Sequence, residues 1–145
     1  MRLGIDVGQA RIGVARSDAA GSIVVPVSTI RRDGRDLARI AGIARKYEAV
    51  EIVVGLPLGL SGTEGTAAER ARHYAGMVAE RTGVPVRLVD ERLSTVSAHA
   101  ALHEAGLDSR KHRAVVDQVA ATVILEQALA IERSTGESPG TPWKD

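Results

Sequence analysis

The chain has 145 residues, a net charge of +1 and 44% hydrophobic residues, which is enough for one domain with its own core. It contains no Cys, no Phe, one Trp and two Tyr, which excludes disulfides and thiolate metal sites and disfavours base stacking on aromatic side chains. No apolar run reaches the length of a membrane span and no signal peptide is evident. We therefore expect a cytoplasmic protein with no membrane partner.

Alternating apolar residues predict three strands at the start of the chain. The first covers residues 3–7, and it places Asp6 at the end of the strand, beside a glycine turn. The second covers residues 12–16 and the third residues 23–30. Pro26 indicates that the third strand lies at a sheet edge or has a bulge. The chain is therefore expected to open as a three-stranded meander.

Helices and strands then alternate. A β-branched run at residues 50–54 predicts a strand buried on both faces, and residues 86–90 predict another strand. The pattern from Thr66 to Glu69 is typical of a capping box. Helical spacing of apolar residues, together with start and stop residues, predicts helices at about 35–47, 66–82, 94–105 and 114–133.

This order of elements predicts an α/β fold. Its mixed five-stranded sheet would combine the antiparallel meander with two parallel strands, and helices would flank it. We expect a single domain over residues 1–133. Residues 134–145, rich in Ser, Thr, Gly and Pro, are expected to form a flexible tail.

Asp117 is the carboxylate that stands out from its helical context. On the last predicted helix it lies away from the polar stripe of Gln118, Thr122 and Glu126, on the side of small apolar residues. A carboxylate on a buried face is costly unless it is paired or binds a metal ion. The alternatives are a metal ligand, a loop cap, or a partner for Arg113 one turn earlier.

Two further acids lie at the end of the fifth predicted strand. Because side chains alternate along a strand, Asp90 and Glu91 point to opposite faces, and at most one of them joins Asp6 and Asp117. Three carboxylates without Cys or clustered His suit Mg²⁺ or Mn²⁺. Two such ions about 3.5–4 Å apart can promote phosphodiester hydrolysis.

Four short motifs follow one another along the chain. They are LGIDVG at residues 3–8 with RIGVA at 11–15, GLPL at 55–58, DERLST at 90–95, and VD at 116–117 with AA at 120–121. In this order they resemble the motifs of the YqgF/RuvX family of RNase H-like nucleases, and the resemblance extends from Leu3 to about Ile131.

The resemblance implies an RNase H-like fold and a metal-dependent endonuclease. It implies that Asp6, Glu91 and Asp117 are the catalytic, metal-binding acids, with Mg²⁺ or Mn²⁺ as cofactor. The family motif, rather than strand parity, selects Glu91 over Asp90. The implied substrate is the 5′ end of pre-16S ribosomal RNA. The alternative is a Holliday junction, whose resolution requires a two-fold dimer; monomer and homodimer both stay open.

Several polar residues are candidates for contacts with nucleic-acid phosphates. A basic run precedes the helix of Asp117, and its alternative is a solvated loop. Arg11 could reach phosphate or pair with Asp18. The predicted phosphate-binding residues are Arg11, Ser61, Thr63, Arg92, Arg110, Lys111 and Arg113.

Other features have simpler explanations. His99 and His103 have zinc-like spacing but no third ligand in a recognisable motif, so we interpret them as surface residues. Arg31, Arg32 and Arg35 are interpreted as exposed charges. Two competing functions are an actin-like nucleotide-binding domain, which needs a second domain that this chain has no room for, and a non-catalytic nucleic-acid-binding factor.

Overall fold

The computed structural model describes residues 1–57, 65–90 and 109–143, and the side chains of the last range from residue 115 onward. The strands are β1 (Arg2–Val7), β2 (Arg11–Ser17), β3 (Val24–Arg31), β4 (Glu51–Leu56), β5 (Val86–Asp90) and β6 (Thr141–Pro142). The helices are α1 (Asp36–Lys46), α2 (Thr66–Thr82) and α3 (Ser109–Thr135). In these ranges no helix has both the length and the apolar character needed to cross a membrane.

The sheet is mixed, as predicted. Its strand order is β3-β2-β1-β4-β5-β6, with β1, β2 and β3 antiparallel and β4 and β5 parallel to β1. The edge or bulge predicted from Pro26 is confirmed twice. β3 lies at the edge of the sheet, and the β2–β3 register shifts between Val14 and Ala15, opposite Ser28 and Pro26.

The core lies on both faces of the sheet. On one face, apolar residues such as Leu3, Ile5 and Ile12 pack with α1 and α2. On the other face, Val53 and Val89 pack with apolar residues of α3. Because side chains alternate along a strand, each one faces either α1 and α2 or α3. Only side chains on the same face can meet at one site.

Glycines let α3 lie unusually close to the centre of the sheet. A Cβ atom built on Gly13 would lie 1.9 Å from the carbonyl oxygen of Asp117. One built on Gly4 would lie 2.7 Å from the Leu125 Cβ atom and 2.8 Å from the Ala121 carbonyl oxygen. Real Cβ atoms do not approach other atoms so closely, so these positions require glycine. The approach fixes the position of Asp117 over β1 and β2.

The sheet has six strands rather than the predicted five, because residues 141–143 pack on it. β6 pairs with β5, and the Arg87 side chain donates to the carbonyls of Pro139 and Gly140. Trp143 is partly buried against the core, within 2.8 Å of a Cβ built on Gly76. The expectation of a loose tail is wrong for these residues. A two-residue strand is too short to show alternation, and its pairing covers the outer edge of β5.

Two helix starts also differ from the sequence prediction. α2 begins after Gly65, which makes no side-chain cap, so the capping box predicted at Thr66 is wrong. α3 begins at Ser109, five residues earlier than predicted. Arg and Lys are good helix formers, so the basic run at 110–113 extends the helix instead of connecting to it.

Gly13→Ala is expected to lower the free energy of unfolding by about 2–4 kcal/mol, because the new methyl group would overlap the backbone of α3. Urea denaturation followed by circular dichroism measures the change.

Gly42→Ala is the matched control, because a Cβ at this position in α1 meets nothing within 4 Å. Alanine favours helix, so the control is expected to be neutral or stabilising by up to about 1 kcal/mol. Equal stability of Gly13→Ala and the parent protein would contradict the close approach of α3.

Candidate metal and nucleic-acid site

Asp6 lies where the parallel strands end together. β1, β4 and β5 run in the same direction, so their carboxyl ends share one edge of the sheet. Asp6 is the penultimate residue of β1 and pairs in register with Gly13 of β2. On the β4 side the register Ile5–Val54 places Gly55 next to it. Both neighbours of Asp6 across the sheet therefore lack side chains, and the space above Gly13 is filled by the backbone of Asp117.

Asp6 faces α3. The even-numbered residues of β1 point to this helix, because Arg2 forms an ion pair with Glu132 and Gly4 lies under Ala121. Alternation places Asp6 on the same side. Asp117 approaches the same point, since its backbone lies directly over Gly13, the register partner of Asp6. The structure thus brings two of the three predicted acids to one end of one face.

Asp117 is held by Arg11. The Arg11 Nε atom donates to the Asp117 Oδ2 atom at 2.7 Å, and the two side chains are 35% and 15% exposed. Asp117 lies on the predicted side of its helix, beside the buried Val116 and Ala120, but is itself only partly buried. In the described part of the chain its partner is thus Arg11 and not a loop, and the side chain of Arg113 is outside that part.

The alternative pairing of Arg11 with Asp18 is wrong. Asp18 instead accepts hydrogen bonds from the backbone amides of Ser22 and Ile23 in its own turn. The hydrogen bond from the Ile23 amide, followed by that from the Ser22 amide, holds the pKa of the Asp18 carboxyl below its usual value. A carboxylate satisfied by its local backbone does not compete for a distant arginine.

The side chain of Arg32 stabilises the turn between Asp6 and Arg11. The Gly8 amide donates to the Arg11 carbonyl at 2.9 Å, and Arg32 donates to the Gly8 carbonyl at 3.1 Å. The Arg32 guanidinium also stacks 4.8 Å from the centre of the Tyr74 ring. Arg32 was interpreted as an exposed charge, and this is wrong. It is half-buried and braces the turn that presents Arg11.

Tyr74 anchors this support to α1. Its hydroxyl donates to the Asp36 Oδ2 atom at 2.6 Å, and both residues are buried. Burial and the bond to Asp36 raise the pKa of the Tyr74 hydroxyl, so it remains a donor at neutral pH. The chain of contacts from Asp36 to Gly8 was not visible in the sequence, because it joins residues from four separate segments, namely α1, α2, the loop after β3 and the β1–β2 turn.

A second arginine lies beside Arg11. Arg31 is its register partner on β3, and the two side chains therefore share the face of α3. Arg31 is exposed. Two residues further along the same strands, Thr29 pairs with Gly13. The side-chain amide of Gln118 on α3 donates a hydrogen bond to the Thr29 hydroxyl at 3.1 Å. Arg31 was not predicted beside the site, although the alternation in both strands places it on this face.

Strand parity determines the face on which Asp90, the last residue of β5, lies. Val86 and Leu88 belong to the core under α1 and α2, whereas Val89 packs with α3. Asp90 therefore falls on the face opposite Asp6. Glu91, with Arg92, Ser61 and Thr63, lies outside the described ranges, as do His99 and His103. Within those ranges no three His, Asp or Glu side chains form a metal-binding cluster.

The basic run that precedes Asp117 occupies the first turns of α3. Arg113 is four residues and Arg110 seven residues before Asp117, which corresponds to about 6 and 10 Å along a helix axis. The backbone thus places Arg110, Lys111 and Arg113 at the same end of α3 as Asp117. This end of α3 and the carboxyl edge of the sheet together define the candidate site.

Comparison with known proteins gives consistent matches over nearly the full chain. A family model described as "RuvX: Holliday junction resolvase" matches residues 1–131. A Nocardioides protein named "Putative pre-16S rRNA nuclease" is 55% identical, with 97% of this chain and 94% of that protein covered. A Leifsonia xyli protein of the same name is 51% identical, with 98% and 93% covered.

A solved structure shares the fold. The structure titled "T. thermophilus RuvC in complex with Holliday junction substrate" aligns with a TM-score of 0.58 and 18% identity, covering 97% of this chain and 98% of that one. The RNase H-like architecture expected from the sequence is thereby confirmed.

Arg32→Met is expected to lower the free energy of unfolding by about 1–2 kcal/mol, because it removes the hydrogen bond to the Gly8 carbonyl and the contact with Tyr74. Arg31→Met, one residue earlier and exposed, is the control and should change stability by less than about 0.5 kcal/mol. Thermal denaturation of both variants measures the difference. Equal effects would show that Arg32 does not support the turn.

Proposed function

Because this chain belongs to the RuvX family, we propose that it is a divalent-metal-dependent endonuclease that trims the 5′ end of pre-16S ribosomal RNA. The observation that supports this proposal most strongly is the position of Asp117, whose backbone lies against Gly13 beside Asp6. Rigid elements hold both acids: one is on the central strand of the sheet and the other on a long helix. Such rigidity suits a site that must place reacting groups accurately.

The donor set fits Mg²⁺ or Mn²⁺. Carboxylate oxygens are the ligands that these ions prefer, and Asp117 already has a cation, the Arg11 guanidinium, as its partner. We assign Asp6, Glu91 and Asp117 as the ligands. Asp90 lies on the opposite face from Asp6, which favours the next acid in the chain, Glu91. When bound, such ions supply activation of the attacking water and neutralisation of charge on the leaving oxygen.

The chain's own residues have separate tasks in this proposal. Asp6 and Asp117 hold their carboxylates at fixed positions, and Gly55 on the β4 side of Asp6 has no side chain that would obstruct a phosphate group. The phosphate contacts predicted from the sequence are retained in the proposal. They are Arg11, Ser61, Thr63, Arg92, Arg110, Lys111 and Arg113. Phosphate contacts position the substrate but do not distinguish its sequence.

The substrate assignment follows the names of the relatives. Proteins 55% and 51% identical to this chain are named for pre-16S rRNA. The second candidate is a four-way DNA junction, which the description of the matched family favours. A junction resolvase must cut two symmetric strands and is therefore expected to act as a homodimer, whereas trimming one RNA end needs only a monomer.

Asp6→Asn, Glu91→Gln and Asp117→Asn should each reduce cleavage of a pre-16S 5′-end substrate by about 100-fold or more, because each removes one carboxylate from the metal site. The initial rate of product formation on a denaturing gel with Mg²⁺ or Mn²⁺ measures this. Glu126→Gln, which changes an exposed acid on the same helix, is the control and should retain activity. Full activity in all three variants would overturn the assignment.

The parent protein is expected to cut the RNA end and to leave a four-way DNA junction intact under the same conditions. Cleavage of both labelled substrates, with Asp6→Asn protein as the blank, measures the preference. Sedimentation of the protein with each substrate gives the oligomeric state. Symmetric cuts in the junction by a dimer, with intact RNA, would establish the second candidate instead.

A further inference from the structure

We propose that Arg11 is an exchangeable counter-ion, released from Asp117 when a divalent cation binds and then available to a phosphate of the substrate. The proposal rests on the metal-dependent nuclease function above and adds a coupling between two binding events. Its starting point is the ion pair between the Arg11 Nε atom and the Asp117 Oδ2 atom at 2.7 Å.

The two cations compete for one carboxylate. An arginine keeps its charge at any ordinary pH, so Arg11 can relieve repulsion with a second cation at Asp117 only by moving. Repulsion between positive charges a few ångströms apart is strong where water is partly excluded, and the Asp117 side chain is only 15% exposed. The Arg11 side chain is 35% exposed, so it has open solvent to move into.

The backbone of Arg11 does not need to move with its side chain. Its carbonyl accepts a hydrogen bond from the Gly8 amide, and the Arg32 side chain donates a hydrogen bond to the Gly8 carbonyl. The turn therefore keeps the Cα atom of Arg11 in place while the guanidinium exchanges partners. A change of side-chain rotamer is sufficient for the switch.

Arg31 provides the second half of a phosphate site. It is the register partner of Arg11 and is exposed on the same face, with β2 between it and the strand that presents Asp6. Like charges directly opposite each other on two strands are destabilising without an anion between them. Asp117 neutralises Arg11 in this structure, and a phosphodiester group can do so after the exchange. Two guanidinium groups side by side suit bidentate phosphate binding.

The consequence is positive coupling between metal and nucleic acid. With Asp117 occupied by a metal ion, Arg11 is free and phosphate binding strengthens. By linkage, bound phosphate must strengthen metal binding by the same factor. Without metal, Arg11 contributes little to nucleic-acid affinity, because it is already paired.

The first test measures Mn²⁺ binding without nucleic acid. Arg11→Gln should bind Mn²⁺ about five- to tenfold more tightly than the parent protein in titration calorimetry, because a competing charge-assisted hydrogen bond is gone. Arg81→Gln, an exposed arginine at the end of α2, should bind as the parent does. Unchanged or weaker binding by Arg11→Gln would overturn the exchange.

Asp117→Asn separates the two levels of the proposal. If the parent protein binds Mn²⁺ and this variant does not, the metal site stands, and the result with Arg11→Gln decides the exchange alone. If the parent does not bind Mn²⁺, or Asp117→Asn binds it equally well, the metal assignment fails and the exchange fails with it.

The second test measures binding of a fluorescently labelled pre-16S 5′-end RNA in EDTA and in Ca²⁺, with gel analysis to confirm intact RNA. Arg11→Gln should weaken binding about three- to tenfold in Ca²⁺ but hardly at all in EDTA. Arg31→Gln should weaken binding in both, since Arg31 is exposed with or without metal. An equal loss for Arg11→Gln in both conditions would overturn the coupling.

Discussion

The arrangement of the site depends on one steric constraint, the contact of the α3 backbone with the glycines of β1 and β2. A side chain at Gly13 would overlap the Asp117 backbone, and one at Gly4 would overlap α3 near Ala121. Helices normally rest on the side chains of a sheet, which keep the two backbones apart. Here the missing side chains bring the helix closer. The same two strands present Asp6 and Arg11, so one contact positions the acid pair and its counter-ion.

Electrostatics explain why this contact is tolerable. A close approach that buries Asp117 would leave a carboxylate away from water, which is costly unless it is paired. Arg11 supplies the pair, and the Arg32–Tyr74–Asp36 contacts hold the turn that presents Arg11. The fold therefore has a stable form in which the candidate metal ligand is already satisfied. In the proposed exchange, a metal ion replaces Arg11 at Asp117 instead of binding at an unpaired carboxylate.

The sequence was sufficient for the parts of the structure that follow local periodicity. Spacing within single elements predicts four features of the structure. They are the meander, the two parallel strands, the edge position of β3 from Pro26 and the side of its helix on which Asp117 lies. The motif resemblance supplied the RNase H-like fold. What could not be predicted are contacts between distant elements. The Arg11–Asp117 pair joins residues 106 positions apart, and the Arg32–Gly8 bond joins residues 24 apart. No local pattern encodes such pairs.

Composition misled the prediction at the end of the chain for a related reason. Residues rich in Ser, Thr, Gly and Pro are typical of a loose tail, and yet Trp143 packs on the core beside Gly76. A single aromatic side chain and two paired residues are enough to dock a short segment where a strand edge is otherwise open. This edge matters for the candidate site because it belongs to β5, the strand that leads into Glu91.

The geometry also limits where substrate choice can arise. Asp6, Asp117 and the neighbouring arginines are suited to metal ions and phosphates, and these groups are common to RNA and DNA. An enzyme that prefers one of them must contact sugars, unpaired bases or helix shape at other surfaces. The 2′-hydroxyl is the group that separates the two polymers at a given position. The acid site can therefore be the same in a ribosomal RNA nuclease and in a junction resolvase, and the difference between them must lie in the surface around it.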